Sequence, residues 1–276
     1  CQEAALAIAR EVGDRYREGT MLSNLGNLHS VQGRLDEARA CRDAALAIHR
    51  EVGDRRNEGI TLGNLGSLHR EQGRTDEARA CLDAALAIHR EIGDRRSEGI
   101  SLGNLGNLHS VQGRLDEARA CHDAALAIAR EVGDRRSEGI TLANLGVLHF
   151  NQGRMDEARA CHDAALAIHR EMGDRSFEGI TLGDLGNLHR EQGRMEEARA
   201  CLDAAEALLR GLNDAIELGA VLCHRARLEH RESHADAARA ALAEAESLAA
   251  RAGLGPDSGS SRELAAVRAL LEGGAP

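Results

Sequence analysis

A block of 40 residues recurs along this chain, and that period limits the fold more than any other feature. The stretch DRRNEGITLGNLGSLHREQGRTDEARACLDAALAIHREIG from Asp54 and the stretch DRRSEGISLGNLGNLHSVQGRLDEARACHDAALAIAREVG from Asp94 differ at 9 of 40 positions. Units start at Asp14, Asp54, Asp94, Asp134, Asp174 and, more loosely, Asp214. Six repeats are therefore expected over 13–253, as 14–53, 54–93, 94–133, 134–173, 174–213 and 214–253. Residues 1–12 hold the second half of an earlier unit, so the chain reads as a piece of a longer protein. A period of this length marks stacked supersecondary units, none of which can bury its apolar face alone.

Each unit reads as two helices. In the second unit, Gly53 suits the left-handed residue that ends one helix, and Asp54 can cap the next. A first helix (A) is expected over 55–72, ended by Gly73. A second (B) is expected from about Asp76-Glu77, acidic residues that favour a helix N-terminus, to about Ile92. Leu62, Leu65 and Leu68 line one side of A; Ala78, Cys81, Ala85, Leu86 and Ile88 line one side of B. The short turn between them makes A and B antiparallel neighbours. After the repeats, a Pro/Gly/Ser linker (254–261) leads to a capping helix (262–272) started by Ser261, then a tail (273–276). Fourteen helices and no strand are expected.

Composition removes several chemistries. All 35 basic residues are Arg, so lysine Schiff bases and P-loop lysines are absent. The net charge of −10 disfavours a nucleic-acid partner, which needs a basic face. With no Trp, one Tyr and two Phe, a β-sandwich or barrel is disfavoured. No apolar run is long enough to span a membrane, so no membrane partner is expected, and the N-terminus carries no secretory leader.

The pattern L-x-x-L-G-x-x-H, then E-A seven residues on, then A-L, resembles the tetratricopeptide repeat (TPR). In the second unit Leu62, Leu65-Gly66 and His69 fall on the family's helix-A positions, and Ala78, Leu82 and Ala85 on its helix-B positions. Two departures stand out: His replaces the family's Tyr in five units, and the closing Pro is missing. The longer period and the E-G…N-L-G pattern are similar to the repeats of Pins-type adaptors, kinesin light chain and bacterial signalling arrays. The resemblance implies an all-α, right-handed superhelix of antiparallel helix pairs, an α-solenoid whose concave groove binds a peptide or protein segment.

At about 100° per residue, Asn64, Ser67 and Arg70 lie away from the leucine stripe of helix A. The resemblance places that side on the groove. The equivalent columns read Asn24, Asn64, Asn104, Asn144, Asp184; then Asn27, Ser67, Asn107, Val147, Asn187; then Arg70, Phe150 and Arg190, with Ser in the other units. One carboxamide can pair with both N–H and C=O of a peptide unit, so an Asn column suits main-chain capture. The bland alternative is a solvated face, or Asn bonds that fix helix packing. In the fourth unit Val147 and Phe150 make an apolar spot beside Asn144, read as a ligand anchor. Gly59, Gly63 and Gly66 read as close approach of an adjacent helix A.

Cysteines recur at Cys1, Cys41, Cys81, Cys121, Cys161 and Cys201, with Cys223 extra. Units stacked about 8–10 Å apart hold them too far apart to bridge, so buried free thiols in a reducing cytoplasm are expected. No metal or other cofactor is expected: there is no C-x-x-C, and Arg231 follows His230 where a zinc-protease helix needs Glu. His122 and His162 read as surface variation. The charged R-x-D-E-A-R run reads as a solvated face. The expected function is a non-catalytic protein-interaction module. Its alternative is a regulatory or oligomerisation array contacting other domains of its own chain, with self-association through the truncated N-terminal end left open.

Overall fold

The computed structural model describes residues 2–253 and 258–273. Cys1, most of the expected linker (254–257) and the tail residues 274–276 lie outside the described residues. Among those described there are fourteen helices and no strand.

The helices fall into two compact units, 1–132 and 133–276. The first holds α1 (Gln2–Glu11), α2 (Arg15–Val31), α3 (Leu35–Glu51), α4 (Arg55–Glu71), α5 (Thr75–Glu91), α6 (Arg95–Val111) and α7 (Leu115–Glu131). The second holds α8 (Arg135–Asn151), α9 (Met155–Met172), α10 (Arg175–Glu191), α11 (Met195–Leu212), α12 (Ala215–Arg231), α13 (Ala235–Arg251) and α14 (Gly259–Glu272). The even-numbered helices α2–α12 are A helices, and the odd-numbered ones are B helices. Within each unit every A helix packs on its own B helix, and each B helix packs on the next A helix of that unit.

Local chemistry sets the ends. In the second repeat Asp54 accepts a hydrogen bond from Asn57 N–H at 3.1 Å, and Asp94 does the same for Ser97. Gly53 and Gly73 take φ +72° and +73°, the left-handed residue that lets one helix stop and the next begin. In the degenerate sixth repeat Ser233 takes that role at φ 64°. The final helix starts earlier than the sequence suggests: its cap is Ser258, which accepts from Ser261 N–H at 3.1 Å.

The leucine stripes are core. Leu65, Leu68, Leu108, Leu148 and Leu188 are buried, as are Ala78, Leu82 and Ala85 facing them. Leu28 shows what stacking contributes. It holds the register of Leu68, yet is 41 % exposed where Leu68 is 1 % exposed. A stripe is buried only when its neighbour reaches it.

The glycines mark the A–B seam. A Cβ on Gly66 would sit 2.6 Å from Leu82 Cγ, and one on Gly59 would sit 2.5 Å from His89 Nε2. The close neighbour is therefore helix B of the same repeat, where the sequence suggests an adjacent helix A. Gly63 is different: nothing lies within 4 Å of the Cβ it would carry.

Opposite Gly106 and Gly146 stand His122 and His162, each 1 % exposed. The reading of these two as surface variation is corrected. They occupy the register of Leu82 and Leu202, and an imidazole fills the same hole that a leucine fills elsewhere. Burial pushes both down to about 4. The thiols of Cys41, Cys81, Cys121 and Cys201 are half-buried and free, Cys161 is half-buried, and Cys223 is buried.

Candidate functional site

The face of the A helices opposite the leucine stripe carries the Asn column. Asn24, Asn64 and Asn104 lie in the first unit and Asn144 in the second, each half-buried. Among the described residues, none of these four carboxamides hydrogen-bonds another group of the chain. The packing explanation for the column thus loses its partner. Ser67 and Asn107 are half-buried and Asn27 is exposed on the same face. Asn27 is engaged: Arg42 donates to its Oδ1 at 3.3 Å.

The second unit departs from the expected open face in two places, Arg190 and Phe150. Arg190 is 8 % exposed and donates to Asn187 Oδ1 at 2.7 Å and to Glu191 at 2.6 Å, so it serves the fold and not an open face. Phe150 is half-buried and packs on the core of this unit alongside Met155 and Met195, so its ring is a packing group. Val147 remains 39 % exposed, next to Asn144. Asp184 replaces Asn, and burial together with Glu217 and Glu263 pushes its carboxyl up to about 7.

Two features of the A helices escape the sequence reading. One is the glutamate of each E-G pair. Glu58 and Glu98 are buried, and each is held by two arginines: Glu58 by Arg50 of the preceding B helix at 3.0 Å and by Arg55 of its own helix, Glu98 likewise by Arg90 at 2.9 Å and by Arg95. The outer arm of Arg95 reaches exposed Glu131 at 2.7 Å. The repeated R-x-x-E-G spacing carries the signal. The other feature is an aliphatic column: Ile60 is 38 % exposed and Ile100 is 48 % exposed, each four residues before an Asn of the column and so on its face.

Nucleophile and metal chemistry find little footing. Ser101 Oγ lies 2.9 Å from His89 Nδ1, but both are buried and His89 Nε2 has no partner. Among the described residues no acid hydrogen-bonds the ring, so the pair is a buried packing contact. Glu229, Glu232 and His234 bring ligand atoms within 4.8 Å of one another. Arg199 already bonds Glu229 at 2.6 Å and also Glu232, so a guanidinium fills the place of a cation.

Stacked antiparallel helix pairs, a 40-residue period and a glycine in five of the six A–B seams define an α-solenoid of interaction repeats. The tetratricopeptide repeat profile matches residues 17–91, 97–171 and 137–211, and the chain belongs to that family. A search of curated proteins found no match. Among solved structures it is similar to BtubC (BKLC) from P. vanneervenii, at 24% identity and TM-score 0.63 over 77% of this chain and 89% of that one. It is also similar to a Rap protein complexed with competence and sporulation factor, at 15% identity and TM-score 0.71, over 93% and 76% of the two chains. A third is a signal-transduction ATPase with a tetratricopeptide repeat sensor from Pyrococcus horikoshii, at 14% identity and TM-score 0.67. This chain is covered over 98% of its length but spans only 44% of that protein. At such identities these likenesses show the fold alone. No helix among the described residues is long and apolar enough to cross a membrane.

Proposed function

We propose that this protein-interaction repeat array is non-catalytic and holds a peptide or protein segment on the Asn-bearing face of its A helices, in the cytoplasm. The observation that carries this is the register of Asn24, Asn64, Asn104 and Asn144 with no hydrogen-bond partner in the chain. Asn is a mediocre helix former, and an unbonded column of it has no value to the fold. A peptide main chain supplies the donor and acceptor that each carboxamide lacks. The free, half-buried thiols of Cys41, Cys81, Cys121 and Cys201 support a reducing compartment.

The test is site-specific photocrosslinking in extract, with the photoreactive residue at Ser67 or at exposed Asp83 on helix B. Capture from Ser67 but not from Asp83 is expected. Capture from Asp83 alone overturns the proposal. A second reading, a sensor array acting on other domains of its own chain, draws support from the likeness to the ATPase with a repeat sensor. Exposed Ile8 on α1 and Tyr16 on α2 support self-association there, which sedimentation at graded concentration checks.

A further inference from the structure

In the first unit the Asn face is not simply polar. Ile60 on α4 and Ile100 on α6 keep large apolar area in water while the leucines of the same helices are buried. A single exposed isoleucine is ordinary. Two in the same register on A helices that pack side by side are a column, and Val111 extends the apolar face of α6, itself 52 % exposed. Each isoleucine stands one helical turn from an unbonded carboxamide, Asn64 or Asn104. Gly63, on the same helix, is open where a Cβ would project. It gives up helix propensity for no packing gain, and leaves room above the helix.

Spacing and charge select the occupant. Packed helices lie about 8–10 Å apart, and an extended or polyproline-type chain advances about 3.1 Å per residue. One repeat therefore matches about three residues of such a chain. A helical ligand would have its N–H and C=O groups already bonded and would offer the Asn side chains nothing to hold. The nearby charges are spent within the protein: Arg55 on Glu58 and Glu91, Arg95 on Glu98 and Glu131, Arg56 on Asp94. Arg70 and Glu71 stand together at the end of α4 as opposite charges. The column offers aliphatic, hydroxyl and carboxamide groups, and Arg70 and Glu71 at its end offset each other's charge.

We propose that the first unit seats an extended, uncharged peptide segment with an aliphatic side chain at every third residue, one against Ile60 and the next against Ile100, its main chain held by Asn64 and Asn104. This rests on the peptide-binding reading above and names the ligand class.

The experiment pans a phage-displayed library of random dodecapeptides against the full chain, then measures anisotropy of the enriched peptide made synthetically with a fluorescent label. Enrichment of aliphatic residues at i and i+3 with uncharged residues between is expected. The double variant Ile60→Ser/Ile100→Ser should then bind that peptide about tenfold or more weakly, with an unchanged melting temperature. If binding depends on Asn64 and Asn104 but not on the isoleucines, or the enriched peptides lack the three-residue spacing, this inference falls and the peptide-binding reading stands. If no peptide is enriched, or Asn64→Ala/Asn104→Ala binds like the parent, both fall.

Discussion

Gly63 and Gly66 sit three residues apart in α4, and replacing each by alanine should move stability in opposite directions. Alanine is favoured over glycine in a helix interior by about 0.8–1.0 kcal/mol, and that gain is common to both sites. At Gly63 the added methyl meets nothing within 4 Å, so the gain is kept. At Gly66 it would lie 2.6 Å from Leu82 Cγ, 2.7 Å from its Cδ2 and 3.1 Å from the backbone oxygen of Ala78. Leu82 is fully buried and cannot swing aside, so either α4 or α5 must shift. Overpacking of this kind costs about 1–3 kcal/mol. Because helix propensity cancels, the difference between the variants is the overpacking cost alone, about 2 kcal/mol at mid-range. For a chain of this size that separates the melting temperatures by about 4–8 °C. Urea and thermal unfolding followed by far-ultraviolet circular dichroism measure it, with Gly63→Ala expected above the parent and Gly66→Ala below. A Gly66→Ala protein as stable as Gly63→Ala would refute the assignment of the A–B seam to these glycines.

Acid should loosen both units through their buried imidazoles. His122 is held at about 4 against an ordinary 6.5, so the unfolded chain takes the proton first and stability is lost as pH falls from about 6.5 to about 4. At pH 5 the loss from His122 is about 2 kcal/mol, and His122→Leu, which copies Leu82, should flatten that part of the pH–stability curve. Glu98→Gln should cost about 1–3 kcal/mol, because it breaks a buried charge-assisted contact to two arginines, whereas Glu131→Gln, at the exposed end of the same network, should leave the denaturant midpoint close to the parent's. Asp184 has the opposite sign from His122: its raised carboxyl favours the protonated form, so its contribution is present below the ordinary carboxylate range and is lost as pH rises through about 7. Asp184→Asn should therefore raise the melting temperature at pH 8 and lose that advantage in acid. Ser233→Gly should stabilise by about 0.5–1 kcal/mol in equilibrium unfolding, since a side chain is held there at φ 64°.

The period, the helix pairs, the caps at Asp54 and Asp94 and the buried leucines were all legible in the residues themselves. Each depends on chemistry within one turn of chain or on a 3.6-residue rhythm, and a 40-residue identity repeats that information six times. The Asn column was legible for the same reason, since a helical angle is a property of sequence. What stands opposite a given angle is not. His122 looked like surface variation until α7 was laid on α6 and the ring was found filling the hole above Gly106. Gly63 and Gly66 are the same residue in the same helix, yet only one faces another side chain. Nothing within its own helix marks Glu58 for burial, but the preceding helix brings Arg50 across it and makes it a buried junction. Phe150 and Arg190 lay on the right arc for an open face, and packing within their own unit buried Arg190 and half-buried Phe150. Sequence determined which side of each helix every residue occupies; only the stacking of one helix on the next decided which sides are filled, because burial is a property of pairs of surfaces and a single helix contains only one of them.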